Sequence, residues 1–150
     1  MKENHYMKEA IKVAKLGYEN NEVPIGAIIV DSNSGEIIAS AHNLTETNSD
    51  PTAHAEILAI KEACKKLQAP RIHECDIYVT LEPCPMCATA ISFARIRRLY
   101  FGAYDIKGGG VEQGAKIFNQ PTCHHKPEIY GGINESECAK LMTDFFKDKR

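Results

Sequence analysis

At 150 residues the chain has the size of one domain and enough residues to bury a core. Hydrophobic residues make up 43% and charged residues 25%, the balance of an ordinary globular protein and not of a disordered chain or a membrane bundle. The net charge of −2 is no signature of nucleic-acid binding, though a local basic patch can act inside an acidic chain. The first residues, Met1 to Tyr6, lack the apolar centre of a signal peptide, and no apolar run approaches a membrane span. The expectation is a cytoplasmic protein without membrane contact, its six cysteines reduced.

In chain order, Asn4 can cap a first helix reaching about Asn20, with Met7, Ala10, Ile11, Ala14 and Tyr18 at helical spacing as its buried stripe. Residues 25–30 form a short apolar strand, and Asn33-Ser34-Gly35 turns the chain into a return strand over 36–42. Residues 43–50 are polar and read as a loop. A second helix is predicted from Pro51 to about Leu67, with Asp50 as its N-cap and Pro51 in the first helical position. Its packing candidates are Ile57, Leu58, Ile60, Ala63 and Cys64.

A third strand over 76–81 leads into a helix that continues through Ile91 and Phe93, and a fourth strand follows over 98–103. Gly108-Gly109-Gly110 fits neither G-x-G-x-x-G nor a Walker pattern, so it reads as a flexible loop. A short helix over 112–118 and a fifth strand over 128–130 precede a last helix. Asn134 and Glu137 would open that helix as a capping box, with Cys138, Leu141, Met142, Phe145 and Phe146 on its apolar face. The whole reads as a single domain over residues 1–150, a three-layer α/β/α fold with a mixed five-stranded central sheet.

Two stretches carry the chemistry. Pro51-Thr52-Ala53-His54-Ala55-Glu56 offers an imidazole and a carboxylate; Leu81-Glu82-Pro83-Cys84-Pro85-Met86-Cys87 offers two thiols one helical turn apart. Each lies where a loop or strand gives way to a helix, so two positive helix ends would face one ion and favour thiolate and hydroxide. His54, Cys84 and Cys87 make three ligands for zinc, which prefers four, and the fourth position stays open to water. Zinc lowers the pKa of its water to about 7. Glu56 is then the candidate proton carrier between water, ring nitrogen and departing amine. Alone, a histidine at a helix start is commonly structural, and a lone C-x-x-C is often redox-active or half of a structural zinc site. The combined order H-x-E … P-C-x-x-C is far more specific, being the known signature of zinc deaminases. Cys64, Cys75, Cys123 and Cys138 remain as small buried hydrophobes.

With these motifs the chain resembles the cytidine-deaminase-like families, and among them the bacterial tRNA-specific adenosine deaminases. Pro24-Ile25-Gly26-Ala27, Asn43, Phe101-Gly102-Ala103 with Asp105, and Glu137-Cys138 with Asp144-Phe145-Phe146 extend the likeness over nearly the whole chain. The resemblance implies hydrolysis of the wobble adenosine in a tRNA anticodon stem-loop to inosine, one zinc ion (Zn2+) per subunit, and a homodimer. It also implies that Asn43 reads the edge of the extruded base and that Ile25 and Leu81 line its pocket. Without the resemblance Asn43 is equally a turn-forming residue. The run Lys107-Gly108-Gly109-Gly110-Val111-Glu112-Gln113 departs from the family's pattern, and the tail Lys147-Asp148-Lys149-Arg150 is less arginine-rich. The tail is a solvated helix end or a contact for phosphates. A free-base or nucleoside deaminase of guanine or cytosine type is the alternative reading. A zinc-stabilised interaction module is a third, and Glu56 argues against it because a purely structural site has no use for it.

Overall fold

In the computed structural model, which describes residues 2–149, every strand pairs into one sheet in the order β2-β1-β3-β4-β5. The elements are α1 (Lys2–Glu19), β1 (Gly26–Asp31), β2 (Ile37–His42), α2 (Ala55–Leu67), β3 (Cys75–Leu81), α3 (Pro85–Phe93), β4 (Arg98–Ala103), β5 (Glu128–Tyr130) and α4 (Glu135–Asp148). A 3-10 turn, Ile117–Asn119, precedes β5. β1 pairs antiparallel with β2 and β3, whereas β3, β4 and β5 run parallel. The predicted mixed five-stranded sheet is thus formed.

Alternation along the strands sorts the core into two layers. Ile29, Ile77, Val79, Leu99 and Phe101 face α2 and α3. Ile28, Val30, Tyr78 and Tyr100 face α1 and α4. On the second side the backbones come very close. A Cβ on Gly26 would lie 2.1 Å from the carbonyl oxygen of Ala10, and one on Gly102 would lie 2.3 Å from the Cys138 sulfur. Glycine is what lets α1 and α4 sit down on the sheet there. At the far end of β3, Arg97 donates two hydrogen bonds to Asp76, at 2.9 and 2.7 Å.

Several local expectations change. α2 begins at Ala55, not at Pro51, and its N-cap residue is His54. Asp50 instead closes a turn, accepting hydrogen bonds from the amide and hydroxyl of Thr52. Of the expected packing residues of α2, Ile60 and Cys64 are half-buried but pack against the core; the fully buried apolar positions are Ala55, Ala59 and Ala63, spaced one turn apart. No helix forms over 112–118 beyond the 3-10 turn, because Gly114 and Lys116 hold positive φ angles of 52° and 43°. At the start of α4, Asn134 adopts φ 52° and its side chain caps no backbone amide, so the capping box is absent. Of the four spare cysteines, Cys75 and Cys138 are buried and Cys64 and Cys123 half-buried. Phe146 is exposed, and Arg150 lies outside the described residues.

Candidate metal and catalytic site

The site forms where two helices start at the same end of the sheet. His54 has extended backbone angles just before α2 (φ −78°, ψ 151°), and Cys84 has them just before α3 (φ −71°, ψ 171°). Pro85 opens α3 in the first-turn position that its fixed φ suits. One turn later Cys87 returns to the same face, fully buried.

The Nδ1 of His54 lies 3.6 Å from the sulfur of Cys84 and 3.5 Å from that of Cys87. All three donor atoms fall within 4.8 Å of one another. These distances test whether zinc fits. Zinc–nitrogen bonds of about 2.0 Å and zinc–sulfur bonds of about 2.3 Å at a tetrahedral angle give nitrogen–sulfur separations of about 3.5 Å. The observed spacing is the one the ion requires, and the donor set of one imidazole and two thiols is the one it prefers.

Charge is already organised for a cation. The neighbouring Cys87 thiol and then His54 stabilise the Cys84 thiolate, lowering its pKa to about 4 against the cost of burial. Sharing that negative charge pushes the Cys87 thiol up. The Cys84 sulfur likewise raises His54.

Glu56 stands outside the donor triangle yet feels it. Its side chain is buried, and burial is the main cause that pushes its carboxyl up to about 7; Cys84 adds to the rise and His54 opposes it. A carboxyl poised near neutrality suits a group that must both take and give a proton.

Asn43 is buried beside this cluster, and its Oδ1 accepts a hydrogen bond of 2.8 Å from the amide of Ala55. The side chain therefore supplies the cap for α2 that Asp50 does not. Ile25 is half-buried against the α2 and α3 side of the core. Leu81 packs toward α4 instead, where it borders a cavity of about 230 Å³ with Ala103, Tyr104, Ala139 and Met142.

Sequence reasoning passed over Glu22. It is fully buried, and it accepts hydrogen bonds from the amides of Glu46 and Thr47 and from the Thr47 hydroxyl. It pins the segment that runs from Asn43 toward His54. Its one sequence signal is an acid flanked by loop residues immediately before a strand, which is too common to single out.

The chain is similar to known proteins over most of its length. Residues 1–103 match the family model described as the cytidine and deoxycytidylate deaminase zinc-binding region. The tRNA-specific adenosine deaminase of Agrobacterium fabrum is 53% identical over 97% of this chain and 95% of its own. A solved wobble-position A-to-I deaminase of transfer RNA is 54% identical, covers 91% of this chain and 98% of its own, and superposes with a TM-score of 0.88. The guanine deaminase of Bacillus subtilis is similar at 34% identity over 84% of this chain and 82% of its own, with a TM-score of 0.65. With its donor triangle, its adjacent carboxyl and this full-length likeness, the chain belongs to the tRNA-specific adenosine deaminases, within the zinc-binding cytidine deaminase-like families.

Proposed function

We propose that the protein hydrolyses the wobble adenosine of a tRNA anticodon loop to inosine, consuming one water and releasing ammonia. The observation that carries this reading is the open donor triangle of His54, Cys84 and Cys87 with a buried carboxyl beside it, in a chain so similar to enzymes of that name. His54, Cys84 and Cys87 would hold one zinc ion. When bound, zinc supplies Lewis acidity and lowers the pKa of water to about 7.

The chain's own residues do the rest. Glu56 takes a proton from water and passes it to N1 of the adenine as the water oxygen bonds to C6, then carries that oxygen's remaining proton to the amino group as the C6–N bond breaks, leaving the C6 carbonyl of inosine and ammonia. Asn43 holds the base edge with the amide nitrogen that α2 leaves free. Its oxygen stays on Ala55, so the reader of the base and the start of the metal helix are fixed together. Extruding the adenine costs little in a loop that is already single-stranded. Ile25 acts as an apolar wall on the α2 and α3 side, whereas Leu81 packs on the α4 side of the sheet.

The whole of residues 1–150 serves as one deaminase domain, acting in the cytoplasm. A second copy would cover the outer face of α2 and α3. There Ile57, Ile60, Pro70, Ala90 and Phe93 border a mainly apolar groove of about 350 Å³ whose lining includes none of the three donor residues, and Phe93 is 69% exposed. Patches of this kind mark association surfaces. Among the described residues, no helix is long and apolar enough to cross a membrane.

The deciding experiment measures ammonia from a panel of an anticodon stem-loop with wobble adenosine, free adenosine, guanine and cytosine. Turnover of the stem-loop alone is expected. Turnover of guanine with an untouched stem-loop would replace this reading by the free-base one.

A further inference from the structure

The glycine run 108–110 fits no phosphate-binding motif, yet it lies against an anion. That anion is internal. Glu82 is 2% exposed, and among the described residues no cation pairs with it. Its Oε1 accepts a hydrogen bond from the amide of Asp105 at 3.0 Å. Its Oε2 accepts from the amides of Val111, Glu112 and Gln113 at 3.2, 2.8 and 3.0 Å. Successive backbone amides of this kind form an anion-binding nest, and here the nest is filled by the residue two positions before Cys84.

The same loop touches the thiol turn directly. Gly110 donates its amide to the carbonyl of Pro83 at 2.8 Å. A Cβ on Gly110 would lie 2.5 Å from the Pro85 nitrogen and 2.9 Å from the Cys84 carbonyl carbon. A Cβ on Gly109 would lie 2.7 Å from the Glu82 carboxyl carbon. The glycines are therefore needed for contact on both sides, with the carboxylate and with the Cys84–Pro85 peptide. The loop over 105–113 and the turn over 82–85 are cross-braced on either side of the ligand.

We propose that Glu82 is a positioning residue for the metal centre. It clamps the loop over 105–113 onto the Cys84 turn and thereby fixes one thiolate relative to His54 and Cys87. The amides at 111–113 are not an open phosphate site. The inference rests on the zinc assignment and not on the identity of the base, because it is read without substrate.

The test is zinc release to a chromogenic chelator from the loaded protein, at a temperature where circular dichroism shows each variant folded. Glu82→Gln keeps one acceptor oxygen and sets an NH2 donor against either the Asp105 amide or the amides at 111–113, so one side of the clamp loses its acceptor. Zinc release is expected to quicken by about tenfold, the lower end for losses around a metal site. Hydrogen exchange at residues 111–113 should quicken with it, and the cobalt-substituted protein should show altered thiolate-to-metal absorption. Gly110→Ala attacks the same brace with Glu82 intact and should act likewise, which keeps the question answerable if Glu82→Gln does not fold. Asp76→Asn, which breaks the remote pair with Arg97, is the control for lost stability alone. Unchanged release and spectrum in the folded Glu82 and Gly110 variants, or equal acceleration by Asp76→Asn, would overturn the proposal.

Discussion

The side-chain oxygen of Asn43 receives the amide proton of Ala55 at 2.8 Å, joining the residue after β2 to the first turn of α2 across a gap in sequence. One half of this amide is committed to the fold, and the other half is the part proposed to meet the base. Stability and base recognition can therefore be separated by substitution. Asn43→Ala should cost about 1–2 kcal/mol in denaturant unfolding, the usual loss for a helix cap with a buried partner. Asn43→Asp keeps the acceptor and should retain most of that stability. It should still lose at least about tenfold in kcat/KM on the stem-loop, because the donor is gone. Equal stability losses in the two variants would show that the cap is not what Asn43 supplies.

Glu56 divides binding from chemistry. Glu56→Ala should keep a full complement of zinc by elemental analysis, since the donor triangle does not include it. Ammonia release should fall by at least about a hundredfold, the scale of a lost general acid–base. Loss of zinc in parallel with activity would make Glu56 a ligand.

Glu22 predicts a pH effect with a defined sign. Burial alone would raise its pKa, but the Thr47 hydroxyl and the Thr47 and Glu46 amides outweigh it and hold the group below the ordinary 4.5. The folded state thus favours the charged form. Its stabilising contribution is full above the unfolded value and is lost as pH falls below about 4.5 toward the folded one. Glu22→Gln should cost about 2 kcal/mol at pH 7. Its penalty relative to wild type should shrink in urea titrations as the pH is lowered through that window. A constant penalty would exclude the carboxylate as its source.

The outer face of α2 and α3 makes its own prediction. Phe93→Arg changes a residue that is 69% exposed, so the fold should keep its stability within about 0.5 kcal/mol. In sedimentation velocity the wild type should run as a dimer and the variant as a monomer. A dimer in both would move the interface elsewhere.

The strands and the donor set were legible in the sequence because both are written locally. Apolar runs ended by turn residues define β1, β3 and β4, and two short motifs define the ligands. The start of α2 was misplaced because its cap comes from Asn43, twelve positions before Ala55, while the local candidate Asp50 serves a turn. The helix expected over 112–118 is absent for another reason, the positive φ angles of Gly114 and Lys116, which interrupt the run of helical dihedrals. Buried carboxylates that organise loops leave no periodic trace, so Glu22 and Glu82 emerged only from the folded chain. The basic tail also gained definition. Lys149 donates to Asn21 and lies 5.3 Å from the centre of the Phe145 ring, the pattern of a helix end tied to its own molecule.

The alanine spacing of α2 has an effect that reaches past the core. With Ala55, Ala59 and Ala63 against the strands, the axis of the helix rides low, and His54 at its head is set at a fixed depth. The bulkier Ile57 and Ile60 border the outer groove, Ile60 while still packed against the core. Widening any of these three contacts would lift the imidazole away from the sulfurs, so the reach of the ligand and the greasiness of the exterior are two ends of a single lever.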